Sequence, residues 1–116
     1  MSTLLKLTIS GPPGSGTSTL VAKIVESRGW RSMNGGDVFR EEARSRGLSV
    51  EELSSEAKED PDVDRHLDDL LQKRMSSPES PEIVESRLSG WWAHKNDLEC
   101  LIVWVSVSEK ERARRI

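Results

Sequence analysis

Residues 4–19 read LLKLTISGPPGSGTST, and no other stretch restricts the fold of this chain as much. The apolar run from Leu4 to Ser10 has strand character and stops at Gly-Pro-Pro-Gly. From Thr17 the period changes. Leu20, Val21, Ile24 and Val25 recur at helical spacing, and Gly29 stands where a C-terminal cap belongs. Between strand and helix, Gly11, Gly16 and Ser18 match G-x-x-x-x-G-K-[ST] at every position but Thr17, where the lysine would be. The glycines let backbone N–H groups turn inward, and a helix N-terminus adds partial positive charge. Together they form a nest for an anion, with the Ser18 hydroxyl placed to face Mg²⁺. The alternative is a Gly/Pro-rich turn that holds nothing. Thr17 removes a point charge, so the positive character of a nucleotide pocket must come from backbone, metal and arginines elsewhere.

The rest of the chain continues the alternation. Trp30 to Asn34 is a short strand candidate, broken by Gly35-Gly36. A helix capped by Gly36 or Asp37 then runs through Phe39 and Ala43 to about Arg46. Ser49 to Lys58 forms another, with Ser49 and Glu52 as a capping box. Asp60-Pro61 starts a third, with Val63, Leu67, Leu70 and Leu71 on one face. Glu82 to Glu85 is a third strand candidate, followed by a turn around Gly90. Leu101 to Val107 is the strongest strand, rich in β-branched residues. Ser108 then caps a helix over EKERARRI, which reaches Ile116 without a cap. The expectation is an α/β fold, a parallel sheet flanked by helices, in a chain shorter than its complete domain.

Bulk properties narrow the partners. The net charge of −3 over 116 residues gives no global attraction to nucleic acid or anionic lipid, so phosphate binding must be local. The longest apolar run, near Cys100 to Val105, is far short of a membrane span, and the N-terminus has no secretory signal pattern. One cysteine allows no internal disulfide, which fits a reducing compartment. A cytoplasmic monomer acting on small molecules, with neither nucleic acid nor membrane as partner, is expected.

Two further motifs fall just after strands, where doubly wound sheets bind ligands. In GGDVFR, Asp37 and Arg40 are three apart and share a helical face. Arg40 either holds a second phosphate bidentately or pairs with Asp37 or Glu41 at the surface. In VESRLSGWW, Glu85 ends a strand where a carboxylate can orient the water shell of a metal. Arg87 either reaches the same phosphate or forms a strand-end salt bridge. Trp91 and Trp92 fit a hydrophobic cluster better than a base-stacking platform. His66, mid-helix, and His94, in a polar turn, have no partner at metal-ligand spacing and read as solvated. Cys100 reads as a buried core thiol.

GPPGSGTST, GGDVFR, ESRLSGW and ERARRI, in that order, resemble the archaeal type of cytidylate kinase, within the P-loop nucleoside monophosphate kinases. The similarity runs from Leu7 to Ile116, and the ordered set is more specific than the loop alone. It implies transfer of the ATP γ-phosphoryl group to CMP or dCMP with Mg²⁺, giving ADP and CDP or dCDP. By position, Gly11, Pro12, Pro13, Gly14, Ser15, Gly16, Thr17, Ser18 and Thr19 would bind ATP phosphates. Asp37 and Arg40 would lie in the monophosphate pocket. Arg87 would hold the acceptor phosphate and, with Arg40, carry catalysis. Ser18 and Glu85 would serve the metal. Residues 36–75 resemble the helical segment that covers the monophosphate. Arg112, Arg114 and Arg115 would begin a lid helix. Ser86 stands where the family pattern holds a glycine. The residues themselves leave two other readings open, a related kinase for AMP, UMP or a shikimate-like acceptor, and a non-catalytic nucleotide-binding module.

Overall fold

A computed structural model describes residues 4–12, 14–106, 108 and 110. Leu7–Ser10 forms β1, buried along its whole length. Thr17–Arg28 forms α1, closed by Gly29 in the left-handed conformation with its N–H bonded to the Val25 carbonyl. The short strand β2, Ser32–Asn34, leads directly into α2, Gly35–Ser45. Helices α3, Val50–Glu59, and α4, Pro61–Ser76, follow. Then come β3, Ile83–Glu85, helix α5, Ser89–Lys95, and β4, Leu101–Trp104. The helix expected after Ser108, with Arg112, Arg114 and Arg115, lies outside the described residues, as does Pro13.

Among the described residues the sheet has four strands in the order β2-β3-β1-β4, all parallel. Thr8 stands opposite Val84 on one side and Ile102 on the other. The two-residue period of the strands sends side chains to opposite faces. Leu7, Ile9 and Ile83 pack with Val21 beneath α1. Met33 and Val84 pack on the other face with Leu71, Met75 and Ala93 from α4 and α5. A third cluster, Ala43, Leu53 and Val63, joins α2, α3 and α4 into one helical layer. These three helices span residues 35–76.

Four local expectations are corrected. Gly35 and Gly36 do not break the chain. Asn34 caps α2, accepting from the Asp37 N–H at 2.8 Å, while the Asp37 carboxylate accepts from the Asn34 N–H at 2.9 Å. With both ends of that capping box satisfied, the glycines become the first helical turn. Gly90 is likewise no turn. It lies inside α5, where a Cβ would come within 2.8 Å of Ile102 Cγ2, so the glycine lets α5 close onto β4. His94 therefore belongs to that helix. His66 is not simply solvated, because its Nε2 lies 2.8 Å from Glu42 Oε2.

The expected tryptophan cluster forms only in part. Trp92 packs against the core below the sheet, whereas Trp91 is exposed. Cys100 is half-buried rather than buried, and its thiol is pushed above its ordinary pKa by desolvation. The β4 strand pairs with β1 alone among the described residues, which leaves Leu101, Ile102 and Trp104 exposed along the sheet edge.

Candidate active site

The turn after β1 has the geometry of an anion nest. Gly14 and Gly16 have φ of 81° and 88°, which side chains with a Cβ rarely adopt. Gly16 is the N-cap of α1, and no side chain caps that end. The first N–H groups of α1 are therefore left for an anion. Ser15 is buried below the turn, and its Oγ has no partner among the described residues. A buried hydroxyl without a partner is uncommon in a folded protein.

The turn opens on a cleft of about 850 Å³. Gly11, Pro12, Gly14, Gly16, Thr17, Ser18 and Thr19 line it from the loop and α1. Glu85, Ser86 and Arg87 line it from the end of β3. Ser18 Oγ donates to Glu85 Oε2 at 3.1 Å, so the two residues expected at the metal are neighbours. Arg87 is exposed at the lining and, among the described residues, has no ion-pair partner. Beside it, Ser86 donates its N–H to the Ile9 carbonyl, while its Oγ is buried and unpartnered among the described residues.

Asp37 and Arg40 stand outside this lining. Arg40 Nη2 donates to Asp37 Oδ1 at 2.6 Å, the surface pairing that a three-residue helical spacing allows. Asp37 instead lines a second hollow with Arg31, Lys73 and Arg74. The guanidinium of Arg40 is not remote, since a Cβ on Gly36 would lie 3.2 Å from its Nη1, and Gly36 is part of the cleft wall. Thus Arg40 stands at the rim, tied to the carboxylate that caps its own helix.

The far wall, and the contacts that hold α5 behind it, come from residues the sequence did not mark as part of a site. Ser10 Oγ lies 3.0 Å from Ser89 Oγ and accepts from the Gly90 N–H, which pins the start of α5 to the end of β1. Phe39 from α2, Leu67, Asp68 and Leu71 from α4, and Trp92 from α5 complete the cleft. Asp68 is partly buried. Desolvation, and then the charges of Asp64 and Asp69, hold its carboxyl above the usual carboxylate range.

The model of the AAA domain matches residues 10–116, from the last residue of β1 onward. The chain belongs to the AAA domain family. It is 45% identical over 97% of its length to a cytidylate kinase of Archaeoglobus fulgidus, of which it covers 60%. A cytidylate kinase of Natronomonas pharaonis is 41% identical over 95% of this chain, which covers 56% of that relative. The chain thus spans little more than half the length of these curated relatives. A gluconokinase from Sinorhizobium meliloti superposes with a TM-score of 0.61 over 99% of this chain and 65% of its own, at 19% identity. That likeness concerns the fold, a parallel sheet of the P-loop kinase type. In this chain the nest, the Ser18–Glu85 pair and Arg87 gather at the carboxyl ends of β1 and β3, where open α/β sheets bind their ligands.

Proposed function

We propose that this chain is the nucleotide-binding portion of a cytidylate kinase, which transfers the γ-phosphoryl group of ATP to CMP or dCMP and releases ADP and CDP or dCDP. One observation carries the reading. Arg87, a cation without an ion-pair partner among the described residues, lines the same cleft as the anion nest of the Gly11–Thr19 turn. Such a cleft accommodates two phosphate groups, a donor on the nest and an acceptor on the arginine. The similarity to cytidylate kinases over nearly the whole chain supports cytidylate as acceptor.

In this reading a phosphate oxygen of CMP attacks the γ-phosphorus in line, and the bond to the bridging oxygen of ADP breaks. No general base is needed, because the transition state asks for placement and for cancellation of spreading charge. The nest holds the ATP phosphates. Arg87 orients the acceptor phosphate and offsets its charge. Arg40 joins it by exchanging Asp37 for phosphate, a charge-assisted bond of at least equal strength. Each such contact contributes about 2–4 kcal/mol at the transition state. The arginines thereby compensate for the lysine that Thr17 replaces.

Ser18 and Glu85 fit Mg²⁺, since a hydroxyl and a carboxylate are hard oxygen donors already 3.1 Å apart. Among the described residues no cluster of three His, Cys, Asp or Glu exists, so phosphate oxygens and water would complete the shell. The ion would neutralise charge on the transferred group. The helical layer α2 to α4 covers the monophosphate, within a single domain. We place the protein in the cytoplasm as a monomer, with neither nucleic acid nor membrane as partner. The net charge of −3 and the lone cysteine support this.

A coupled assay of the full-length protein with ATP and CMP, dCMP, UMP or AMP tests the proposal. ADP production greatest with CMP and dCMP is the expected result. Turnover greatest with another acceptor, or nucleotide binding without ADP production, overturns it.

A further inference from the structure

Between β1 and α5 runs a chain of buried hydrogen bonds that the kinase reading leaves unused. Ser89, at the start of α5, is fully buried, and Ser10, at the end of β1, is nearly so. The Ser89 hydroxyl lies 3.3 Å from the Ile9 carbonyl and 3.2 Å from the Ser86 carbonyl. Carbonyls only accept, so the Ser89 proton goes to them. The Ser10 hydroxyl, 3.0 Å away, then donates to Ser89, while it accepts from the Gly90 N–H at 3.2 Å. Each donor, from Gly90 through Ser10 to Ser89, thus has an acceptor.

The chain ends on the turn that carries Arg87. The Ser89 N–H and hydroxyl both donate to the Ser86 carbonyl, which closes residues 86–89 across their base. The Ile9 carbonyl accepts from the Ser86 N–H at 3.2 Å as well as from the Ser89 hydroxyl. Both ends of the turn are therefore fastened to one backbone oxygen of β1. Arg87 and Leu88, between these ends, are exposed, and no side chain caps α5 behind them. Two residues past Ile9, Gly11 opens the anion nest. The end of β1 thus leads directly into the nest and anchors the arginine through Ser89.

From this arrangement we infer that Ser89 is a positioning residue, which sets the spacing between Arg87 and the anion nest. The inference rests on the kinase reading above and adds to it what holds the acceptor arginine in register with the donor loop. In-line transfer is sensitive to displacements of about 1 Å between the reacting groups, so a buried brace behind the arginine acts on the rate without touching a substrate. A hydroxyl whose bonds are all made inside the protein is a rigid brace.

The test measures kcat/KM for CMP and KM for ATP in the full-length protein, with Ser89→Ala and Ser10→Ala made alone and each combined with Arg87→Ala. Ser89→Ala should lower kcat/KM for CMP at least about threefold, the effect of losing one or two hydrogen bonds, and leave KM for ATP unchanged. Ser10→Ala removes only the donor behind Ser89 and should give a smaller fall of the same kind. Should Ser89→Ala fail to fold, Ser10→Ala carries the test. In the Arg87→Ala background both falls should disappear, because a brace has no effect once the group it places is gone. The same factor in both backgrounds would mean that the serines act only through the fold. That result, unchanged kcat/KM in both serine variants, or a loss confined to ATP overturns the inference and leaves the kinase reading intact. A wild-type protein that phosphorylates no nucleotide removes both.

Discussion

The Ser18 hydroxyl donates to the Glu85 carboxylate over 3.1 Å and so joins the first turn of α1 to the end of β3. The two residues are 67 apart in sequence, and only the parallel pairing of β1 with β3 brings them together. In the reading proposed above, this hydroxyl and carboxylate would serve as an oxygen pair for a hard cation. Glu85→Gln keeps the shape and removes the charge. It should raise the Mg²⁺ concentration for half-maximal turnover by about 10–100-fold, the usual effect of losing a supporting metal contact. A magnesium titration at saturating ATP reads this directly, and an unchanged midpoint would separate Glu85 from the metal.

Arg87 lines the cleft without an ion-pair partner among the described residues. Its removal breaks no ion pair within the described residues, so Arg87→Ala should leave the melting temperature nearly unchanged. If the full-length protein is the proposed kinase, its kcat/KM should fall at least about tenfold, equivalent to about 1.4 kcal/mol. Equal activity would remove Arg87 from the site.

At the loop, Thr17 is the first helical residue after Gly16, whose φ of 88° sets the direction of the turn. A lysine there needs no change of backbone. Thr17→Lys should therefore keep or raise ATP affinity, measured by calorimetric titration, because it restores a point charge beside the phosphates. Complete loss of ATP binding would contradict the nest geometry.

These expectations differ in how far the sequence alone supports them. The strand, turn and helix over residues 4–29 are legible because apolar period, glycine spacing and a C-terminal glycine all coincide there. The Ser49–Glu52 capping box is legible for a similar reason, and the structure contains both of its bonds. Gly35-Gly36 misleads, because a glycine pair signals a break and the deciding group is the Asn34 side chain before it. The α5 helix is only seven residues long, has no side-chain cap and holds a glycine at its second position, so local signals point to a turn. Arg40 is ambiguous in principle. A three-residue spacing from Asp37 permits both a phosphate ligand and an intrahelical pair, and the structure contains the pair. Asp68 is concealed among Asp62, Asp64 and Asp69, since helical period assigns a face but not the cleft on which that face opens.

The helical layer depends on Leu53, which is fully buried between α2, α3 and α4. Leu53→Ala should destabilise the protein by about 2–5 kcal/mol, the range for a large-to-small change in a packed core. The same layer carries Phe39 and Asp68 into the cleft. Any surviving activity should therefore show a raised KM for CMP with a smaller change for ATP. An equal rise for both nucleotides would contradict the assignment of this layer to the acceptor.

Acid should act on two carboxylates in opposite directions. The Arg31 backbone N–H donates to Glu82 at 2.7 Å and, with the Arg31 guanidinium, holds the Glu82 carboxyl below the usual range. A lowered folded pKa means stability that is present above the unfolded value, about 4.5, and lost as pH falls through the folded one. Asp68 has the reverse sign. Its raised pKa means that folding disfavours the charged form, so Asp68→Asn should raise the melting temperature at neutral pH, with the gain vanishing in acid. Glu82→Gln should instead lower the melting temperature at neutral pH, with the curves coming together only below the ordinary carboxylate range. Scanning calorimetry of the three proteins from neutral pH into that acid range separates the two signs. Parallel curves would mean that neither carboxylate is linked to folding.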